Sequence, residues 1–106
     1  LGAERGVRAV VLNSAGYPDD VVARAPALGV AVLVVHGTAD APADGGSALT
    51  AIARARAFEA ALRSAGRRVD TLYVDRAGHN GLFENPAQYD ATVRRVAAFL
   101  RAELTP

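Results

Sequence analysis

The chain has no cysteine and only two histidines. Disulfides, thiolate metal sites and a cysteine nucleophile within it are therefore excluded, and a histidine-rich metal centre is disfavoured. Charge of one sign is equally scarce. The net charge is +1 with the signs interspersed, so no basic or acidic face is offered to nucleic acid or to an anionic membrane surface. All 12 basic residues are Arg, scattered on polar faces as solvated surface. The longest apolar run, Leu28 to Val35, falls far short of the roughly 20 residues that a membrane span needs. No segment has the charged start, apolar middle and small-residue cleavage site of a signal peptide. What remains, 106 residues of which 51% are hydrophobic, suffices for one small domain and not for two.

Leu1–Gly6 reads as the tail of a helix begun upstream, with Gly6 as its stop. Arg8–Asn13 follows as an apolar run without polar alternation, the pattern of a strand covered on both faces. Ser14–Pro18 breaks it, and Pro18-Asp-Asp opens a short helical segment to about Leu28. Val30–Val35 is a second fully apolar strand, ending at His36-Gly-Thr-Ala-Asp40. A Pro/Gly/Asp-rich loop runs to about Leu49. Thr50 is placed to cap a helix over Ala51–Ala65, in which Ile52, Ala55, Phe58, Leu62 and Ala65 share a face and Gly66 is the stop. Val69–Val74 is a third strand, and Asp75–Glu84 a loop. Asn85 and Pro86 open the last helix, with an apolar stripe of Tyr89, Val93, Val96, Ala97, Leu100 and Leu104. Strand and helix alternate throughout, which predicts an α/β fold of three layers, αβα, around a parallel sheet with right-handed crossovers.

In such sheets ligands bind beyond the C-terminal ends of the strands. Asp40 follows the second strand and His79 the third, so their loops should meet. An acid beside a histidine suits nucleophilic catalysis, the carboxylate fixing the imidazole tautomer and stabilising the imidazolium. The two segments also carry a likeness. Val32-Leu-Val-Val-His-Gly-Thr-Ala-Asp40 and Ala77-Gly-His-Asn-Gly81 resemble the acid turn and the Gly-His turn of α/β-hydrolases, closest to the dienelactone-hydrolase and prolyl-oligopeptidase-like branches. The resemblance is strong from Val30 to Leu104 and weak before that. It implies Asp40 as triad acid, His79 as triad base, no cofactor or metal, and carboxylic ester, lactone or peptide substrates.

The family's nucleophile stands in a G-x-S-x-G elbow ahead of the acid, and no such motif occurs here. Ser14, in Asn-Ser-Ala-Gly, is the nearest candidate, but it lacks the first Gly and Pro18 follows closely. Ser47 and Ser64 have no elbow around them. The nucleophile, Ser or Cys, and the oxyanion hole are expected upstream, in a missing N-terminal half of the same fold. Asp44, beside Gly45-Gly46, competes with Asp40 for the acid. His36 is expected to pack or hydrogen-bond beneath the acid turn; Tyr17, Asn80 and Phe83 are candidates for pocket lining, with a core or loop role as the alternative. The chain is thus expected to be the C-terminal portion of a serine hydrolase, inactive alone and prone to self-association through its unblunted first strand. The alternatives are a non-catalytic module serving binding or assembly, and a flavodoxin-like domain for a small anion.

Overall fold

The longest apolar stretch of the chain becomes its central strand. The computed structural model describes residues 6–105, in which Ala31–Gly37 forms β2 with every residue buried. A strand buried this way must satisfy its backbone on both edges. It pairs in parallel with β1 (Ala9–Asn13) from Ala9↔Ala31 to Asn13↔Val35. On the other side it pairs with β3 (Val69–Val74) from Val32↔Val69 to Gly37↔Val74. The sheet order is β1-β2-β3.

Alternate residues of β2 serve two cores, as the pleat requires. Val32 and Val34 pack with Tyr17, with Ala25 beyond α1 (Asp19–Arg24), and with Phe58 and Leu62 of α2 (Ile52–Ser64). Leu33 and Val35 pack on the opposite face with Leu82 of α3 (Gly81–Glu84) and Phe99 of α4 (Pro86–Leu104). The expected α/β alternation is therefore present, with a three-stranded parallel sheet and helices over both faces. The last helix starts where its sequence signal lies. Asn85 Oδ1 accepts the Gln88 N–H at 3.1 Å, and Pro86 occupies the first turn. Among the described residues no helix is long and apolar enough to cross a membrane.

Several boundaries and faces differ from expectation. β2 runs on past Val35 through His36 and Gly37, because Tyr73 and Val74 of β3 pair with them. Thr50 does not cap α2. That helix begins behind Ala51 without a side-chain cap, while Thr50 ends a separate 3-10 turn, Ala48–Thr50. Its hydroxyl accepts the Ser47 N–H and donates to Asp40 Oδ1. The loop before α4 contains the short helix α3. The apolar stripe of α4 is rotated in part: Val96 and Leu100 pack on the core as expected, but Thr92 and Phe99 are the buried residues and Tyr89, Val93 and Leu104 are exposed. The first strand is not covered on both faces. Ala9–Leu12 are only half-buried at the sheet edge. Val10 and Leu12 line an apolar groove of about 490 Å³ with Tyr17, Val21 and Leu28. On the other face Asn13 borders one of about 330 Å³ with Phe83, Tyr89, Val93 and Leu100. Gly6 has φ 92, the left-handed conformation of a helix stop, and the rest of the predicted helix tail lies outside the described residues.

Candidate active site

β2 and β3 end level with each other, and the two turns beyond them are stitched together by backbone. Thr38 N–H donates to Val74 O at 2.9 Å and Ala39 N–H to Ala77 O at 2.9 Å. The Thr38 hydroxyl accepts the Arg76 N–H at 2.8 Å and lies 3.3 Å from Asp75 Oδ1. Arg76 has φ 63, a conformation that costs a non-glycine residue about 1–2 kcal/mol, and the Thr38 bond helps to hold it. Gly37 makes the crossing possible. A Cβ there would run into the Ala77 carbonyl oxygen and lie 2.9 Å from that of Gly78. The chain then turns at Gly37–Asp40, closed by Asp40 N–H to Gly37 O at 3.2 Å.

This scaffold brings the two predicted residues together. His79 Nδ1 lies 2.8 Å from Asp40 Oδ2. A carboxylate only accepts, so Nδ1 carries a hydrogen, and in the neutral ring Nε2 is the nitrogen with the lone pair. The Asp40 side chain is fully buried while that of His79 is 27% exposed. The ring therefore has an inner edge fixed by the acid and an outer edge open to a reactant. Among the described residues no hydrogen bond reaches Nε2.

Asp40 is held from behind as well. The Thr50 hydroxyl donates to Oδ1 at 3.0 Å, and His36 Nε2 lies 3.3 Å from Oδ2. His36 is buried under the acid turn, as expected from its position, with Nε2 2.6 Å from the Thr50 carbonyl oxygen. Gly46 completes the enclosure, since a Cβ on it would meet Asp40 Oδ1 and the Thr50 hydroxyl. Thr50 is the site residue that sequence reasoning missed. Its only signal there, a hydroxyl before an apolar helix, pointed to a cap.

The remaining candidates fall elsewhere. Ser14 Oγ lies 3.2 Å from Asn13 Oδ1 and makes no bond to His79. Ser47 Oγ accepts the Leu49 N–H at 3.2 Å. The side chain of Asp44, the competing acid, lies outside the described residues. Tyr17 is a core residue, its ring 4.7 Å from that of Phe58, and burial pushes its phenol well above the usual range. Asn80 and Phe83 are exposed beside the His79 turn. No protein-family model matches the chain, and no curated protein matches it.

Proposed function

We propose that the chain supplies the acid and the histidine of a serine-hydrolase triad acting on carboxylic ester, lactone or peptide bonds, as the C-terminal portion of an α/β-hydrolase domain. The observation that carries this reading is the 2.8 Å contact between His79 Nδ1 and a fully buried Asp40 carboxylate, with the opposite ring nitrogen left open. In the reaction, His79 Nε2 takes the proton of a Ser or Cys nucleophile as its oxygen or sulfur attacks the substrate carbonyl. The tetrahedral intermediate collapses and His79 returns that proton to the leaving group. Water then hydrolyses the acyl-enzyme by the same route. Asp40 fixes the tautomer and stabilises the imidazolium throughout. No metal or cofactor enters these steps.

The nucleophile and oxyanion hole belong, in this reading, to a further segment of the same fold whose strand continues the sheet beyond β1. The half-buried β1 and the apolar grooves on both its faces support that placement. The partners are thus a small ester, lactone or peptide and the nucleophile-bearing half, with no role for nucleic acid or membrane.

The test begins with the encoding reading frame, where a strand followed by G-x-S-x-G or G-x-C-x-G is expected upstream of Leu1. The protein carrying that segment should hydrolyse an activated ester, be labelled at that residue by an acyl-directed phosphonate, and lose about 10⁴-fold in kcat in Asp40→Asn. Leu1–Pro106 alone should not exceed free imidazole. Catalysis that survives His79→Ala, or a frame without an elbow, rejects the proposal. The latter outcome selects the non-catalytic module, which the lack of any serine hydroxyl bonded to His79 favours among the described residues.

A further inference from the structure

Three side chains surround the two oxygens of Asp40, and His79 is only one of them. Oδ1 accepts the Thr50 hydroxyl, and Oδ2 has His79 Nδ1 at 2.8 Å and His36 Nε2 at 3.3 Å. His36 Nε2 is also 2.6 Å from the Thr50 carbonyl oxygen, which can only accept. The hydrogen of His36 is therefore on Nε2. Its Nδ1 is buried without a hydrogen-bond partner among the described residues. A fully buried ring with one idle nitrogen is a poor choice for packing alone, where Phe or Leu would fill the space without an unpaired polar atom.

We infer that His36 is a positioning residue for the Asp40–His79 pair, one whose single N–H is spent on the Thr50 carbonyl while its ring edge stands 3.3 Å from Asp40 Oδ2. The inference deepens the triad reading and rests on it for its catalytic meaning. Its physical content is rotational. The carboxyl torsion of Asp is broad and roughly two-fold, so a carboxylate held at one oxygen can still swing. Thr50 holds Oδ1, His36 holds the backbone of Thr50, and the His36 ring edge closes off the space beside Oδ2 at 3.3 Å. The oxygen that faces His79 is thereby kept in one place, and with it the Nδ1–H tautomer of the base. Loss of His36 would loosen the carboxylate through Thr50 and open the space beside Oδ2.

The chain has two histidines, so its imidazole ¹⁵N spectrum contains two rings, and ¹⁵N shifts report the tautomer in solution and in the solid state alike. In the unmutated 106-residue chain, His36 should be protonated at Nε2 and His79 at Nδ1. In His36→Phe, His79 should change from a single Nδ1–H form to a mixture of tautomers. His36→Gln, whose terminal amide extends to about where Nε2 lies, should restore it. A wild-type His36 protonated at Nδ1 overturns the proposal, as does an unchanged His79 tautomer in folded His36→Phe. If that variant does not fold, His36→Asn, one bond shorter, is compared with His36→Gln, and identical His79 spectra overturn it. The readout needs no substrate. A chain without hydrolytic partners would sink the catalytic reading and leave the tautomer result to be judged separately.

Discussion

At the scale of single residues, Gly37 is the position where the backbone leaves least room. Its missing side chain lets the Ala77 carbonyl pass over the end of β2, two residues before His79, whose ring meets Asp40. Gly37→Ala is expected to destabilise the fold by about 1–3 kcal/mol through overpacking, read from urea midpoints. It should also separate the two side chains, visible as a changed His79 tautomer. Glu59 offers a test in pH. Burial acts to raise its pKa, but the Tyr73 hydroxyl, at 2.6 Å from Oε1, and Arg63, at 2.7 Å from Oε2, outweigh it and hold the pKa below the usual value of 4.5. A carboxylate with a depressed folded pKa contributes stability above its unfolded pKa and loses it as pH falls through the folded one. Stability should therefore decline below about pH 4.3. Tyr73→Phe should lower stability near neutral pH by about 0.5–1.5 kcal/mol and flatten that acid slope. An equally steep acid slope in the variant would assign it to other carboxylates.

At the scale of elements, α4 shows where hydropathy misleads. Two arcs run along this helix. The stripe expected to face the core was Tyr89, Val93, Val96, Ala97, Leu100 and Leu104; of these Val96 and Leu100 pack against it, while the buried arc is centred on Thr92 and Phe99. Polar members disguised the second arc. Thr92 accepts from Gln88 Nε2 at 3.1 Å, and Glu103 forms an ion pair with Arg68 at 2.5 Å, partners that a residue-by-residue reading cannot supply. Phe99→Ala should accordingly cost about 3–5 kcal/mol, and Val93→Ala less than about 0.5 kcal/mol in the monomer. Equal shifts in denaturation midpoint would reverse that order. The strands were legible for the opposite reason. β1 and β2 are short, bounded, mostly branched apolar runs that need no distant partner to declare themselves, whereas β3 shows only through the alternation of Val69, Thr71 and Tyr73 with Asp70, Leu72 and Val74. Asp40 and His79 were legible because each follows a strand at the edge where sites form. Thr50 and the tie from His36 to its carbonyl were not, since a ten-residue loop folds back to make them.

At the scale of the whole molecule, β1 is the exposed element. It is an edge strand without charge or Pro in its interior, flanked by apolar grooves on both faces, and such edges template further pairing. Burying 400 Å² of that surface would contribute about 10 kcal/mol before ordering and association costs, comparable to the whole stability of a small domain. Sedimentation should therefore show association that grows with concentration, and hydrogen exchange at β1 amides should slow with it. A monomer at all concentrations whose β1 is already protected would contradict this. The stitching between the β2 and β3 turns sets a boundary to such effects. Thr38, Ala39, Val74, Arg76 and Ala77 bind the acid turn and the histidine turn to each other without any contribution from β1. The Asp40–His79 pair is consequently expected to keep its geometry while whatever lies across β1 is exchanged, recombined or redesigned.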